Sequence, residues 1–292
     1  MSLPPSNDPT RIITRPGGRV YHLDLAPDEI ADLIITVGDP ARVERVSRHF
    51  DEIRLQRAFR EFHAVTGRVG STELTVLSTG MGSDNVDIAM NELELLANWD
   101  LQKQEVLPAK RQLQIVRLGT SGALQPELEV DSLLVSRYAC SVDVLHHFYP
   151  RFELDDDLLG ALKAHALQMN LPPIHLFEAH SEWLSKLTGL SGIHIGFTFT
   201  ASGFYAPQGR ELWHSDKQER GLLDGLSRFS FKSHRITNVE METAALYHLG
   251  RVFGHQVASV SCLLANRPKA KFSKDPQAAV DRMISSVLEQ LV

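Results

Sequence analysis

Between Phe204 and Arg210 the chain reads Phe-Tyr-Ala-Pro-Gln-Gly-Arg, which sets a primary amide, Gln208, two residues before a guanidinium, Arg210. An amide both donates and accepts, whereas a guanidinium only donates. The pair fits a flat ring edge that reads acceptor, donor, acceptor. Uracil presents that edge through O2, N3–H and O4. Phe204 and Tyr205 could lay an apolar wall against such a ring. A solvated loop carries the same residue types, so the reading depends on what else the chain supplies.

It also supplies residues suited to an anion and a sugar. Gly38-Asp39-Pro40, Gly80-Met81-Gly82 and Gly119-Thr120-Ser121-Gly122 each follow an apolar run and are expected to be turns at strand ends. In open α/β sheets, ligands bind beyond the carboxyl ends of strands. Glycine lets the backbone approach a phosphate, and the following N–H groups point at it. None of the three is a Walker A loop or a full G-x-G-x-x-G, and each alone also suits a plain turn. Arginines accompany them: Arg42 just after Gly38, Arg117 just before Gly119, and Arg60 within Phe59-Arg60-Glu61-Phe62. Arg117 carries the most weight, because an arginine in an apolar strand is costly to bury unless it meets an anion. Thr120 adds a hydroxyl donor beside it. Glu242, in Asn238-Val239-Glu240-Met241-Glu242-Thr243, follows a strand and opens a helix. A carboxylate there can accept from both hydroxyls of a ribose, or simply suit a helix N-terminus.

The elements that must position these residues alternate. Apolar runs at 33–37, 74–78, 115–118, 132–136, 194–200, 236–239 and 257–264 read as strands. Helical spacing follows Pro40 (Val43, Val46, Phe50) and Gly82 (Val86, Met90, Leu93, Ala97), and recurs over 155–169, 243–253 and 276–291. Strands alternating with helices predict an α/β sheet with a substantial parallel part. There is no internal repeat and no linker, so residues 21–292 are expected to form one domain, with residues 1–20 a partly ordered arm.

Composition narrows the classes. The chain has 292 residues, 43% of them hydrophobic, and a net charge of -6 with both signs interspersed. No basic stretch suggests a nucleic-acid surface, and no apolar run approaches the ~20 residues of a membrane span. The polar N-terminus lacks the apolar core of a secretory signal. Cys140 and Cys262, far apart in apolar segments, read as buried thiols in a reducing cytoplasm. His146-His147 lacks partner ligands, and no metal site is expected.

In this order, the blocks at 35–42, 60–62, 78–82, 117–122, 204–210, 238–243 and 266–267 resemble the nucleoside phosphorylase I family, and within it the branch acting on uridine. The resemblance implies a single-domain α/β fold with a mixed, twisted central sheet, partly barrel-like and flanked by helices. It implies reversible phosphorolysis of uridine to uracil and ribose 1-phosphate, with deoxyuridine and thymidine left open. By position, Gly38, Arg42, Arg117 and Thr120 match phosphate-binding residues, and Arg60 matches an arginine reaching the neighbouring subunit's phosphate. His22 matches a histidine crossing the same interface toward the ribose 5′-hydroxyl. Thr120, Met241 and Glu242 fall at ribose positions. Phe204, Gln208 and Arg210 fall at uracil positions, Ser121 and Glu240 line the pocket, and Arg267 assists at O4. Arg117, Gln208, Arg210 and Glu242 are the residues expected to carry catalysis. The family's unit is a homodimer with shared sites, stacked in the uridine branch as a hexamer of three dimers. No cofactor is implied, inorganic phosphate being a co-substrate.

Two departures stand out. Ser83-Asp84-Asn85 replaces a Gly-Pro-Ser type loop that contributes to a potassium site in some members. Glu61 matches one ligand, but Asn85 stands for a serine, which counts against potassium here. Purine-cleaving members carry an aspartate where this chain has Leu264-Ala265-Asn266-Arg267, and an asparagine is no strong general acid. A nucleosidase would lack the phosphate arginines, and a non-catalytic nucleoside-binding protein on the same fold is the remaining alternative.

Overall fold

The computed structural model describes residues 10–152, 154, 157–210, 212 and 221–292. Residues 1–9 of the expected arm lie outside the described residues. The rest of it forms a two-stranded hairpin, Thr14–Arg15 with Arg19–Val20, that buries Ile12 and Val20.

Among the described residues, eleven strands make the main sheet. They are β1 (Leu33–Val37), β2 (Glu52–Phe59), β3 (Phe62–Val69), β4 (Thr72–Ser78), β5 (Gln114–Ala123), β6 (Leu133–Ser141), β7 (His175–Glu178), β8 (His194–Thr200), β9 (Asn238–Glu240), β10 (Gln256–Asn266) and β11 (Lys271–Phe272). Five of them close a ring, in the order β5, β10, β6, β8, β9 and back to β5, while β1, β4, β3 and β2 extend from β5 as a wing. Parallel pairs (β1 with β4 and β5, β5 with β10, β6 with β8, β8 with β9) mix with antiparallel ones. The mixed, partly barrel-like sheet expected from the resemblance is what the chain forms.

Alternation along the apolar strands sends neighbouring side chains to opposite faces. Ile34 and Ile115 pack with α2 (Ser83–Asn98) and α6 (Thr243–Phe253). Ile35, Val37, Val116 and Leu118 pack with α1 (Pro40–Ser47) and α7 (Pro276–Leu291). By the same alternation Arg117 faces the α6 side. Among the described residues, α3 (Asp157–Gln168), α4 (Ser181–Thr188) and α5 (Leu222–Ser227) add to the shell.

The structure corrects one expectation. Gly119–Gly122 is not a turn but the second half of β5, which runs unbroken from Gln114 to Ala123. β10 pairs with it along its whole length. β1 leaves the other edge after Arg117, and β9 takes that edge up at Gly122 and Ala123. Most of the strand's peptide groups thus find ladder partners, so nothing forces the chain to turn. The glycine serves space instead: a Cβ at Gly119 would lie 1.8 Å from Nη1 of Arg117. Residues 52–69, read only as an aromatic-flanked segment around Arg60, form the β2–β3 hairpin, with Arg60 at its tip at φ 55°.

A buried histidine pair joins α6, which carries His248, to the segment around His146. His248 Nε2 lies 2.9 Å from the Pro150 carbonyl, so it carries the proton; His248 Nδ1 then accepts from His146 Nδ1 at 2.9 Å. Burial, and then the neighbouring His248, His175 and His147, push His146 down to about 3. The folded protein therefore holds His146 neutral, while the unfolded chain protonates it below about 6.5. Its contribution is complete above that pH and is lost as pH falls toward the folded value. Between pH 7 and pH 5 this residue alone should remove about 2 kcal/mol of unfolding free energy. Urea denaturation of wild type and His146→Leu at both pH values checks this: the variant should lose distinctly less over the interval, and an equal loss refutes the assignment.

Candidate active site

A cavity of about 740 Å³ opens beyond the carboxyl ends of β1, β4, β8 and β9, beside the later halves of β5 and β10. At one end, Asp39 caps α1 by accepting from Ala41 N at 2.9 Å, and Pro40 holds the first helical position. That cap sets Arg42 in the first turn, aimed back across β1, where Nη1 donates to the Leu118 carbonyl at 3.1 Å. Arg42 Nε is buried without a partner among the described residues. Burial, and next the like charge of Arg117, pull Arg42 below the ordinary arginine value. Two guanidiniums facing one cavity with an unmet donor make a receptor for an anion.

Arg117 is itself 5% exposed. Its Nη2 meets Glu242 Oε2 at 2.6 Å and Glu240 Oε2 at 3.1 Å, and Nη1 lies 3.4 Å from the hydroxyls of Ser259 and Ser261. Burial disfavours its charge, but Glu240 and Glu242 outweigh burial and raise its pKa. Glu242 Oε1 accepts from the Gly82 amide at 2.8 Å, which ties the β9–α6 junction to the N-terminus of α2. Burial first, with Glu240 adding to it, pushes the Glu242 carboxyl up against the pull of Arg117. Each Glu242 oxygen keeps one lone pair free for a hydroxyl.

At the other end a single helical turn, Ala206–Gln208, is closed by Gly209 in the left-handed region at φ 66°. Gln208 is buried and Arg210 is half-buried. Arg210 Nη1 donates to Gln208 Oε1 at 2.7 Å and to the Phe204 carbonyl at 2.6 Å, and its guanidinium lies 3.9 Å over the Phe204 ring. The amide is thereby oriented, with Oε1 toward Arg210. Burial lowers the pKa of Arg210.

The cavity brings together Gly38, Arg42, Arg117, Thr120, Ser121, Phe204, Gln208, Arg210, Glu240, Met241 and Glu242. It does not include Arg267, His22 or Arg60. Arg267 stands behind the loop and donates to the Gln208 carbonyl at 2.6 Å. His22 is half-buried, with Nδ1 2.7 Å from Glu92. Arg60 is exposed, near the rings of Tyr21 and Phe59. Asp84, in the first turn of α2, is exposed and is not part of the lining.

Sequence reasoning missed Phe272 and Met81, both highly exposed yet lining the cavity. An aromatic inside the charged run Lys269–Lys274 was the available signal for Phe272. Glu61 and Asn85 lie over Gly80, where a Cβ would meet Asn85 Nδ2 at 2.3 Å. Among the described residues, no group of three or more His, Cys, Asp or Glu could hold a metal ion, and no helix is long and apolar enough to cross a membrane.

A family model described as the phosphorylase superfamily matches residues 32–291. The chain is similar to a uridine phosphorylase of Thermococcus kodakarensis, at 29% identity over 88% of this chain and 81% of that protein. It is 25% identical to a DeoD-type purine nucleoside phosphorylase of Streptococcus suis, over 93% and 98% of the two chains. Among solved structures it resembles a Trypanosoma brucei nucleoside phosphorylase described as showing uridine phosphorylase activity. That likeness has a TM-score of 0.86 and 27% identity, and covers 96% of this chain and 99% of the other.

Proposed function

The chain belongs to the phosphorylase superfamily, and from that premise we propose that it catalyses the reversible phosphorolysis of uridine. The observation that carries this is the meeting, in one cavity, of the Gln208–Arg210 pair with Arg42, Arg117 and Glu242. Phosphate lies against Arg42, Arg117, Thr120 and the Gly38 backbone. Ribose lies over Met241 with its hydroxyls on Glu242. Uracil lies against Phe204 with its polar edge on Gln208 and Arg210, with Ser121 and Glu240 lining its pocket and Arg267 on its O4 side.

A phosphate oxygen forms a bond to the anomeric carbon as the bond from that carbon to uracil N1 breaks, and the electron pair leaves with the base. Positive charge builds on the ribose opposite the phosphate dianion. Negative charge spreads to the uracil oxygens, where Gln208 and Arg210 donate, as an oxyanion hole does. Uracil takes up a proton at N1 as it is released. No side-chain nucleophile and no resident cofactor is required.

The purine reading is disfavoured by Asn266. Its Nδ2 donates to the Gln125 and Leu128 carbonyls at 3.0 and 2.6 Å, and its Oδ1 accepts from Lys269 N at 2.9 Å, so its amide is committed to backbone groups. Absorbance assays on uridine and inosine, with and without phosphate, test the proposal. Phosphate-dependent uracil release supports it. Release without phosphate means a nucleosidase, and turnover of inosine with inert uridine means a purine enzyme.

A shared-site homodimer, three of which stack as a hexamer, is part of the same reading. It is supported by the position of His22 and Arg60 outside their own chain's cavity. Mixing Arg60→Ala copies with Gln208→Ala copies should regenerate one intact site per heterodimer and restore activity beyond either variant. No recovery in mixtures shown by mass spectrometry to contain heterodimers counts against sharing. The buried free thiols Cys140 and Cys262, the latter pushed up to about 11 by burial, fit a reducing cytoplasm. Fractionation of source cells checks the compartment, and recovery outside the cytoplasm overturns it.

A further inference from the structure

Glu240 is placed to do something other than line the base pocket. It is 4% exposed and almost every direction around its carboxylate is taken. Oε1 accepts from the Thr200 hydroxyl at 2.6 Å, and Oε2 from the amides of Glu242 at 2.9 Å and Thr243 at 3.0 Å. Thr200 in turn accepts from the Ala244 amide at 2.9 Å, so the end of β8 and the first turn of α6 hold this carboxylate from two sides. Its remaining contact is Arg117 Nη2, at 3.1 Å. A carboxylate pinned by three fixed donors has no freedom to follow a substrate, but it gives the buried Arg117 guanidinium a fixed anchor.

We propose that Glu240 is a positioning residue that acts through Arg117: it sets where that guanidinium stands between Glu242 and the phosphate, and it offsets part of its charge. This rests on the phosphate and uridine reading of the cavity. Four ionisable groups gather around the phosphate end: two cations, the half-buried Arg42 and the buried Arg117, and two buried carboxylates, Glu240 and Glu242. With all four charged, the cluster is neutral before phosphate enters. Phosphate is then bound only as strongly as donor geometry dictates, and ribose 1-phosphate can leave.

The charge argument gives a result that general damage would not. Glu240→Gln keeps an oxygen at the Oε2 position to accept from the amides of Glu242 and Thr243, but it turns the ion pair with Arg117 into a weaker neutral contact and leaves the cluster with net positive charge. Phosphate should bind several-fold more tightly, with a correspondingly lower KM for phosphate. Meanwhile kcat should fall on the order of 10- to 100-fold, because the guanidinium is no longer aligned. The KM for uridine should stay within about twofold of wild type. Steady-state kinetics, with calorimetric titration of inorganic phosphate alone, would read all three quantities. A lower kcat together with a lower phosphate KM, tighter binding without faster turnover, supports the proposal. An unchanged kcat, a weakened phosphate, or a raised uridine KM with phosphate untouched overturns it, the last by making Glu240 a contact of the base. Thr200→Val removes one of the three donors but keeps the Glu240 charge, so it should lower kcat by less while phosphate KM stays within about twofold, and an unchanged kcat in this variant overturns the positioning role if Glu240→Gln does not fold. A wild-type protein that releases no uracil with phosphate would defeat the assigned activity, which is a different result from an active enzyme whose variant shows no split.

Discussion

Arg117→Ala is expected to eliminate phosphate-dependent turnover of uridine, with a loss on the order of 10³ in kcat/KM or more. The variant removes a donor to the phosphate and also the cation between Glu240 and Glu242. Breaking a buried ion pair by deleting one partner costs about 3–5 kcal/mol, because the other charge stays buried without compensation. Stability and activity should therefore fall together. Arg117→Lys separates the two effects. An ammonium restores a positive charge near the carboxylates but lacks the planar fork that reaches both of them and the substrate. It should recover most of the unfolding free energy and little of the turnover. Denaturant titration beside the phosphate-dependent assay gives both numbers. Near-normal phosphorolysis in either variant refutes the role given to Arg117.

Gln208→Ala and Arg210→Ala should each lower uridine turnover on the order of 10²–10³ while leaving the KM for phosphate within about twofold. The structure adds a condition about their combination. Arg210 donates to Gln208 Oε1 and so fixes which way the amide faces. With one oxygen lone pair engaged by Arg210, the other can accept from uracil N3–H, and the amide NH₂ can donate to a ring oxygen. Cytosine has an acceptor at N3 and mismatches this arrangement. Because one residue orients the other, the double variant should lose little more than the worse single variant. Full additivity, measured as a double-mutant cycle on kcat/KM, would mean that each residue reads the base independently.

Much of this site was legible because its chemistry sits in short blocks. Asp39-Pro40 is a helix start by residue type alone, and it fixes Arg42 in the first turn. Gln208 and Arg210 lie within three residues, and Glu240-Met241-Glu242 is a strand-to-helix junction. Illegible parts depend on contacts made across the chain. Gly119–Gly122 has turn composition, yet β10 and β9, from the far end of the sequence, hold it extended. Nothing local to Glu240 says that it faces Arg117, since their pairing depends on β9 lying against β5. β2 is a largely exposed edge strand with few apolar residues in register, so the pattern of the β2–β3 hairpin is weak on that side, although its Arg60 was singled out. Arg267 keeps a place at the base end only through the Gln208 backbone, a contact that no residue type announces.

The closed ring of five strands has a temporal consequence. Arg117 lies 142 residues before Ser259, the hydroxyl beside it on the neighbouring strand. On a growing chain, β5 can pair with β1 early, but its other edge has no partner until β10 has been made. Contacts this distant in sequence slow folding, because a large loop must be closed before they form. Arg117 therefore has neither its carboxylates nor its serines until nearly the whole protein exists. A chain stopped before residue 256 would carry an arginine in an unfinished strand and an open sheet edge, the kind of surface on which strands from other molecules pair. The ring thus couples completion of the active site to completion of the chain.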